Sequence, residues 1–334
     1  MKELVRQLKA KEFKNCYIFY GKEGYLRKTY ENLLKDSILP DGADVMNYDV
    51  FEGKKSDITK IFDAIQTFPF LSEKRLVIIK NSGLFVSGRK EDTDAMVDFL
   101  KEIPSSTCIL FSEDEIDKRN KLYKSLQKEG YIVEMNGLSE KDLIAWLKRE
   151  FKKSGLQIEQ VVAVSMLRMV GTDMENLSQE MRKVIAYKAG ETLVTHEDIS
   201  KICSQSFESR IFDMVDAVGN QKPQEALAVY RQLLHMKESP IMILSMMIRQ
   251  FRMIYQCKLL LDEGKTISDI SQRTEIREFI VRECLKQGKN FSKELLEDAL
   301  KECLDIDVAI KTGKLAPELA VELLILNYSG KKRI

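Results

Sequence analysis

Strand-length apolar segments alternate with helix-length amphipathic ones as far as Gly137, and after that point only helical periodicity remains. The first pattern predicts an α/β N-terminal domain, a mostly parallel sheet with flanking helices. The second predicts a small helical second domain and an all-α C-terminal domain. The expected boundaries are 1–137, 138–206 and 207–334.

Within the first domain, Tyr17 to Tyr20 is a strand candidate closed by Gly21, and a helix follows through Tyr25 to Lys35. A second strand is expected over Val45 to Phe51. Ile58, Ile61, Phe62 and Ile65 then share one face of a helix that runs to Phe68. It stops there because Pro69 fixes its own φ and pushes the preceding residue out of the helical region. Strands are expected over Leu76 to Ile79, Thr107 to Phe111 and Tyr131 to Glu134, with helices around Thr93 to Glu102 and Lys118 to Lys128 between them.

Beyond Asn136-Gly137, Ser139 with Asp142 three residues on resembles a capping box and opens a helix over Glu140 to Lys153. Thr195 to Asp198 caps another helix near Ile199. From Glu208 onward, Gly219, Gly264, Gly288 and Gly313 mark helix ends, while Pro223, Pro240 and Pro317 suit first turns. Ile241 to Leu261 is apolar on most sides yet contains Arg249, Gln250, Arg252 and Lys258, as a buried bundle helix does. For Arg249 and Arg252 a face toward DNA or a partner stays open beside intramolecular ion pairs, which are the preferred expectation.

Charge and composition narrow the function. Lys and Arg (53) nearly cancel Asp and Glu (52), which argues against a strongly basic nucleic-acid binder acting alone. No apolar run approaches the roughly 20 residues a bilayer crossing needs. The N-terminal MKELVRQLKAKEF lacks the apolar core of a signal peptide, so a cytoplasmic protein without a membrane partner is expected. The six cysteines include no C-x-x-C pair, and no metal site is expected.

A nucleotide site is the enzyme reading that the first domain invites. A phosphate-cradling loop needs G-x-x-x-x-G-K-[ST], so that backbone N–H groups can approach the phosphates. Anchored at Lys28-Thr29, the motif requires glycine where Lys22 and Arg27 stand. Anchored at Gly21, it requires glycine at Leu26 and lysine at Arg27. Neither register works. Glu113-Asp114-Glu115 mimics a magnesium-binding motif, but reads as a solvated loop or helix cap. His196 and His235 are the only histidines, and both sit in helical context. No catalytic, cofactor-binding or metal-ligating residue is therefore assigned.

The segments YIFYGKEGYL, FPFLSEKRLVIIKNSG, DKRNKLYKSLQKEG, VGTDMENLSQEMRKVIAY, IFDMVDAV and LDIDVAIKTG occur in this order. Together they resemble, over essentially the whole chain, the δ subunit of the bacterial DNA polymerase III clamp loader. The resemblance implies an AAA+-like fold without a functional P-loop, followed by a helical collar that serves oligomerisation. It implies a non-catalytic subunit that binds the DNA polymerase sliding clamp and holds its ring open for loading onto primed DNA. The partners implied are the clamp, the ATPase motor subunits and a second non-motor subunit through the collar, and primed DNA within the assembled complex.

The family's clamp-binding element matches Phe68, Pro69, Phe70 and Leu71. Pro69 stands where some relatives carry leucine, so Phe70 is the firmer anchor, with Phe68 or Leu71 as the second. Gln66 ahead of the apolar residues is loosely similar to clamp-binding peptides, and Glu73, Lys74 and Arg75 are expected as rim charges. Two other readings stay open: an active ATPase with a degenerate loop, and a scaffold whose Phe70 tip is simply core.

Overall fold

Five short segments between Cys16 and Glu134 become the strands of one parallel sheet. They are β1 (Cys16–Tyr20), β2 (Tyr48–Glu52), β3 (Arg75–Lys80), β4 (Thr107–Glu113) and β5 (Tyr131–Glu134), in the spatial order β2-β3-β4-β1-β5. The register sets Ile18 of β1 opposite Phe111 of β4 on one side and Ile132 of β5 on the other. Parallel neighbours need crossovers. These come from α2 (Gly24–Ile38), α4 (Ile58–Gln66), α5 (Lys90–Phe99) and α6 (Lys121–Glu129), after α1 (Lys2–Ala10) and with the one-turn α3 (Asp44–Asn47) before β2. The computed structural model describes residues 2–39 and 42–330, and the chain divides after Gly137 into two compact units.

Strands buried on both faces read as near-continuous apolar runs, and β1, β3 and β4 do so. One core of this unit packs Ile18, Val77, Ile79, Ile109 and Phe111 of the sheet against Ile61 and Ile65 of α4 and Leu122 and Leu126 of α6. Phe62 of α4 adds a stacked ring pair with Phe99, the centroids 4.1 Å apart.

The second strand differs from expectation. Residues 44–47 form α3, and β2 begins only at Tyr48, opposite Leu76. The reason is the partner: β3 starts at Arg75, so earlier residues have no ladder to join. The Arg75 guanidinium instead donates to the Met46 carbonyl at 2.8 Å. The helix expected from Lys118 begins at Lys121, because Asn120 caps it by accepting from the Leu122 N–H at 2.8 Å.

The second unit is helical apart from the two-residue strands β6 (Gln157–Ile158) and β7 (Leu193–Val194), which pair in parallel and were not expected from periodicity. Its helices are α7 (Glu140–Lys153), α8 (Gln160–Val170), α9 (Met174–Tyr187), α10 (His196–Ile202), α11 (Phe207–Gly219), α12 (Pro223–His235), α13 (Pro240–Asp262), α14 (Ile267–Thr274), α15 (Glu278–Gly288), α16 (Lys293–Lys311) and α17 (Pro317–Gly330). Thr195 and Asp198 close a reciprocal capping box at α10. The prolines at 223 and 240 occupy first turns as expected.

Helix α13 is the spine, burying Ile243, Leu244, Met247, Phe251, Ile254 and Cys257. Its one buried amide, Gln250, donates to Gln287 at 2.8 Å, and Gln287 donates onward to the Phe212 carbonyl at 2.9 Å, so each buried amide nitrogen has an acceptor. Arg249 and Arg252 depart from expectation: both are exposed, and neither has an ion pair among the described residues. No helix among the described residues is long and apolar enough to cross a membrane.

Candidate functional site

Helix α4 carries the first candidate. Asp57 caps its start by accepting from the Thr59 N–H at 3.0 Å. Its end is tied down twice: Thr67 closes on the Asp63 carbonyl through both its N–H (3.0 Å) and its hydroxyl (2.7 Å), and the buried Thr107 hydroxyl donates to the Ile65 carbonyl at 2.9 Å. Ile61 and Ile65 anchor the helix below, and Pro69 ends it above. The residues beyond are left in solvent: Phe68 is 79% exposed, Phe70 59% and Leu71 90%, with Pro69 half-buried between them. The reading of this tip as core is thereby overturned.

The backbone of the tip is held as well as exposed. Leu71 adopts φ of 51°, a left-handed conformation that disfavours a side chain carrying Cβ. Asn47, fully buried, grips the neighbouring residue at both ends of its backbone. Its Oδ1 accepts from the Phe70 N–H at 2.6 Å, and its Nδ2 donates to the Phe70 carbonyl at 2.8 Å. Sequence reading missed Asn47, since nothing in a pattern of apolar spacing marks a polar residue 23 positions away as the brace.

Of the expected rim charges, Glu73 is exposed and Lys74 donates to the Ser105 carbonyl at 2.5 Å. Arg75 is not a rim charge at all. It is buried, with its guanidinium taken up by Asp49 and the Met46 carbonyl.

The second candidate is the crevice at the carboxyl ends of β1, β3 and β4, where open parallel sheets bind their ligands. Here it is filled from within. Gly21 has φ of 128°, and a Cβ there would stand 2.3 Å from the Met135 carbonyl oxygen, so the turn after β1 is pressed against the chain leaving β5. Arg27 pairs with Asp114. Glu31 of α2, buried, accepts from the Ser112 hydroxyl at 2.5 Å and from the Lys80 ammonium at 2.5 Å.

Glu113 is not the solvated loop residue expected. It is the last residue of β4, buried, and accepts from the Ser82 N–H (3.0 Å) and hydroxyl (2.6 Å), while desolvation raises its pKa above the usual carboxylate range. Glu31, Glu113 and Asp114 thus bring three carboxylates to this end of the sheet, two of them paired with Lys80 and Arg27. Among the described residues no group of three His, Cys, Asp or Glu is placed to hold a metal, and all six cysteines are buried thiols.

Comparison with known proteins identifies the family. The family model described as DNA polymerase III, delta subunit matches residues 17–136, and the model for the C-terminal domain of that same subunit matches residues 208–328. The chain belongs to the DNA polymerase III delta subunit family. It is 26% identical over 329 residues to the DNA polymerase III subunit delta of Bacillus subtilis, covering 96% of this chain and 94% of that one. It is 23% identical over 305 residues to the probable DNA polymerase III subunit delta of Aquifex aeolicus, covering 88% and 85%. The solved structure of the Bacillus subtilis DNA clamp loader delta protein superposes with a TM-score of 0.67 at 25% identity, over 99% of both chains. As a delta-family chain, it is a component of the DNA polymerase III replication machinery.

Proposed function

We propose that this chain is the clamp-loader subunit that binds the sliding clamp through Phe68, Pro69, Phe70 and Leu71 and holds the ring open for loading onto primed DNA. The observation that carries the reading is the braced, apolar and solvent-exposed tip of α4, in a chain whose similar solved structure is a clamp loader delta protein. Large exposed apolar side chains on a fixed backbone are what a partner pocket takes up with little ordering cost. Burying Phe70 and Leu71 contributes roughly 1.5–3 kcal/mol each before the costs of association. Ring opening needs no covalent step. By linkage, a subunit that binds an open clamp interface more tightly than a closed one shifts the ring toward open.

Nucleotide chemistry then belongs to neighbouring motor subunits, since this chain fills its own crevice with Glu31, Lys80 and Ser112. Contact with those subunits runs through the C-terminal helices in this reading. Leu319, Leu323 and Leu326 form an exposed stripe along α17, and Leu304 and Val308 form one on α16, opposite the buried faces of those helices. Primed DNA is met within the assembled complex, in the cytoplasm.

The test is binding of the full chain to the sliding clamp from the same source, wild type beside Phe70→Ala/Leu71→Ala. Loss of binding with unchanged thermal unfolding is expected. Equal binding by both proteins sinks the assignment of the tip.

A further inference from the structure

Helix α3 inverts the ordinary pattern of burial. Of its four residues, the apolar Val45 and Met46 are 81% and 58% exposed, while the polar Asn47 is fully buried. Burying an amide and exposing two apolar side chains runs against the transfer free energies of all three. The inversion is fixed by hydrogen bonds. Asn47 Nδ2 donates to the Ala43 carbonyl at 2.9 Å as well as to Phe70, so the amide is satisfied three times over. The Lys35 ammonium holds Asp44 at 2.9 Å, and Arg75 holds the Met46 carbonyl at 2.8 Å. The short helix cannot roll its apolar side inward without breaking these contacts.

The same Asn47 braces Phe70. Two exposed apolar segments, Val45–Met46 and Phe68–Leu71, are therefore joined through one buried side chain to a common rigid base, although some twenty residues of chain separate them. We infer that Val45 and Met46 form a second apolar contact with the sliding clamp, continuous with the tip of α4, and that Asn47 is the positioning residue that sets the two at a fixed spacing. The inference rests on the clamp-binding reading of the tip. The occupant is the clamp because the turn that exposes Val45 and Met46 is hydrogen-bonded directly to the backbone of Phe70. A pocket for the tip alone would leave the inverted turn in water.

Three sets of variants in the full chain, titrated against the sliding clamp from the same source, test this. Val45→Thr/Met46→Gln keeps shape and removes apolar character, and is expected to weaken binding about tenfold with unchanged thermal unfolding. Asn47→Ala is expected to weaken binding in the wild-type background and to weaken it less in the Val45→Thr/Met46→Gln background, because there the second contact whose spacing it sets is already gone. A purely structural role would instead lower affinity equally in both backgrounds.

Wild-type affinity in Val45→Thr/Met46→Gln, with binding lost in Phe70→Ala/Leu71→Ala, overturns the inference and leaves the tip assignment standing. Wild-type affinity in Phe70→Ala/Leu71→Ala removes the assignment and the inference together. Should Asn47→Ala fail to fold, the Val45→Thr/Met46→Gln result decides, since both of those side chains are on the surface.

Discussion

Glu31 of α2 and Lys80 at the end of β3 meet at 2.5 Å, with the Ser112 hydroxyl bonded to the other oxygen of the same carboxylate. The carboxylate is buried and the ammonium partly exposed, so the two partners are not equally replaceable. Removing Lys80 leaves a buried charge with only a hydroxyl for company. Lys80→Met is expected to destabilise by on the order of 3 kcal/mol, whereas Glu31→Met/Lys80→Met recovers most of that loss, because an apolar pair of similar volume tolerates burial. Chemical denaturation of the two variants and of Glu31→Met closes the cycle. A double variant no more stable than Lys80→Met would show that the pair is not the unit described here.

The same residues predict the response to nucleotide. Anything that binds only the folded state raises the unfolding temperature, and more so the further its concentration exceeds its Kd. With Glu31, Glu113 and Asp114 lining the crevice and Gly21 pressed on Met135, millimolar magnesium-ATP is expected to leave the thermal midpoint of the isolated chain unmoved. A clear upward shift would restore the ATPase reading.

Leu71 separates binding from stability. Its left-handed φ costs about 1 kcal/mol that glycine would not incur, and glycine loses a similar amount through the unfolded chain. Leu71→Gly is therefore expected to unfold within about 2 °C of wild type. It should still bind the clamp more weakly, since the 90% exposed side chain is gone. Scanning calorimetry beside a clamp titration reads both. A large fall in midpoint would mean that Leu71 serves the fold.

Glu113 ties stability to pH. Desolvation raises its folded-state pKa above the unfolded value, and the hydrogen bonds from Ser82 only partly offset this. A carboxyl with a raised pKa contributes stability that is fully present below the unfolded pKa and is lost as pH rises through the folded one. Glu113→Gln, which keeps an acceptor for the Ser82 N–H, should thus compare better with wild type at pH 8 than at pH 4. A difference in midpoint that is the same at both pH values would assign no titration to this site.

Much of this was legible in the sequence, and the exceptions share a cause. The apolar runs at Tyr17, Leu76 and Thr107 gave their strands, because burial on both faces demands such runs. Pro69 gave the helix end within two residues, whereas Phe70 and Leu71, which apolar character alone would have placed in the core, lie exposed beyond it. Val45 misled, since a β-branched residue beside an apolar one looks like a strand. Whether it pairs depends on where β3 begins, 30 residues later. Arg75 looked like a surface charge for the same reason, as its acceptors lie on Met46 and Asp49. Glu31 carried no signal at all, because a buried ion pair across α2 and β3 leaves no periodicity.

The strand order carries a consequence for how the chain is made. β1, the first of the five strands to leave the ribosome, pairs only with β4 and β5, the last two of the first unit. Until Glu113 has emerged, the apolar run Cys16–Tyr20 has no permanent neighbour, and until Glu134 it has only one, so the newborn chain must be shielded or remain loosely collapsed. Once Gly137 is out, all five strands of the sheet are in hand, and the unit bearing the α4 tip can lock while the second unit is still being translated.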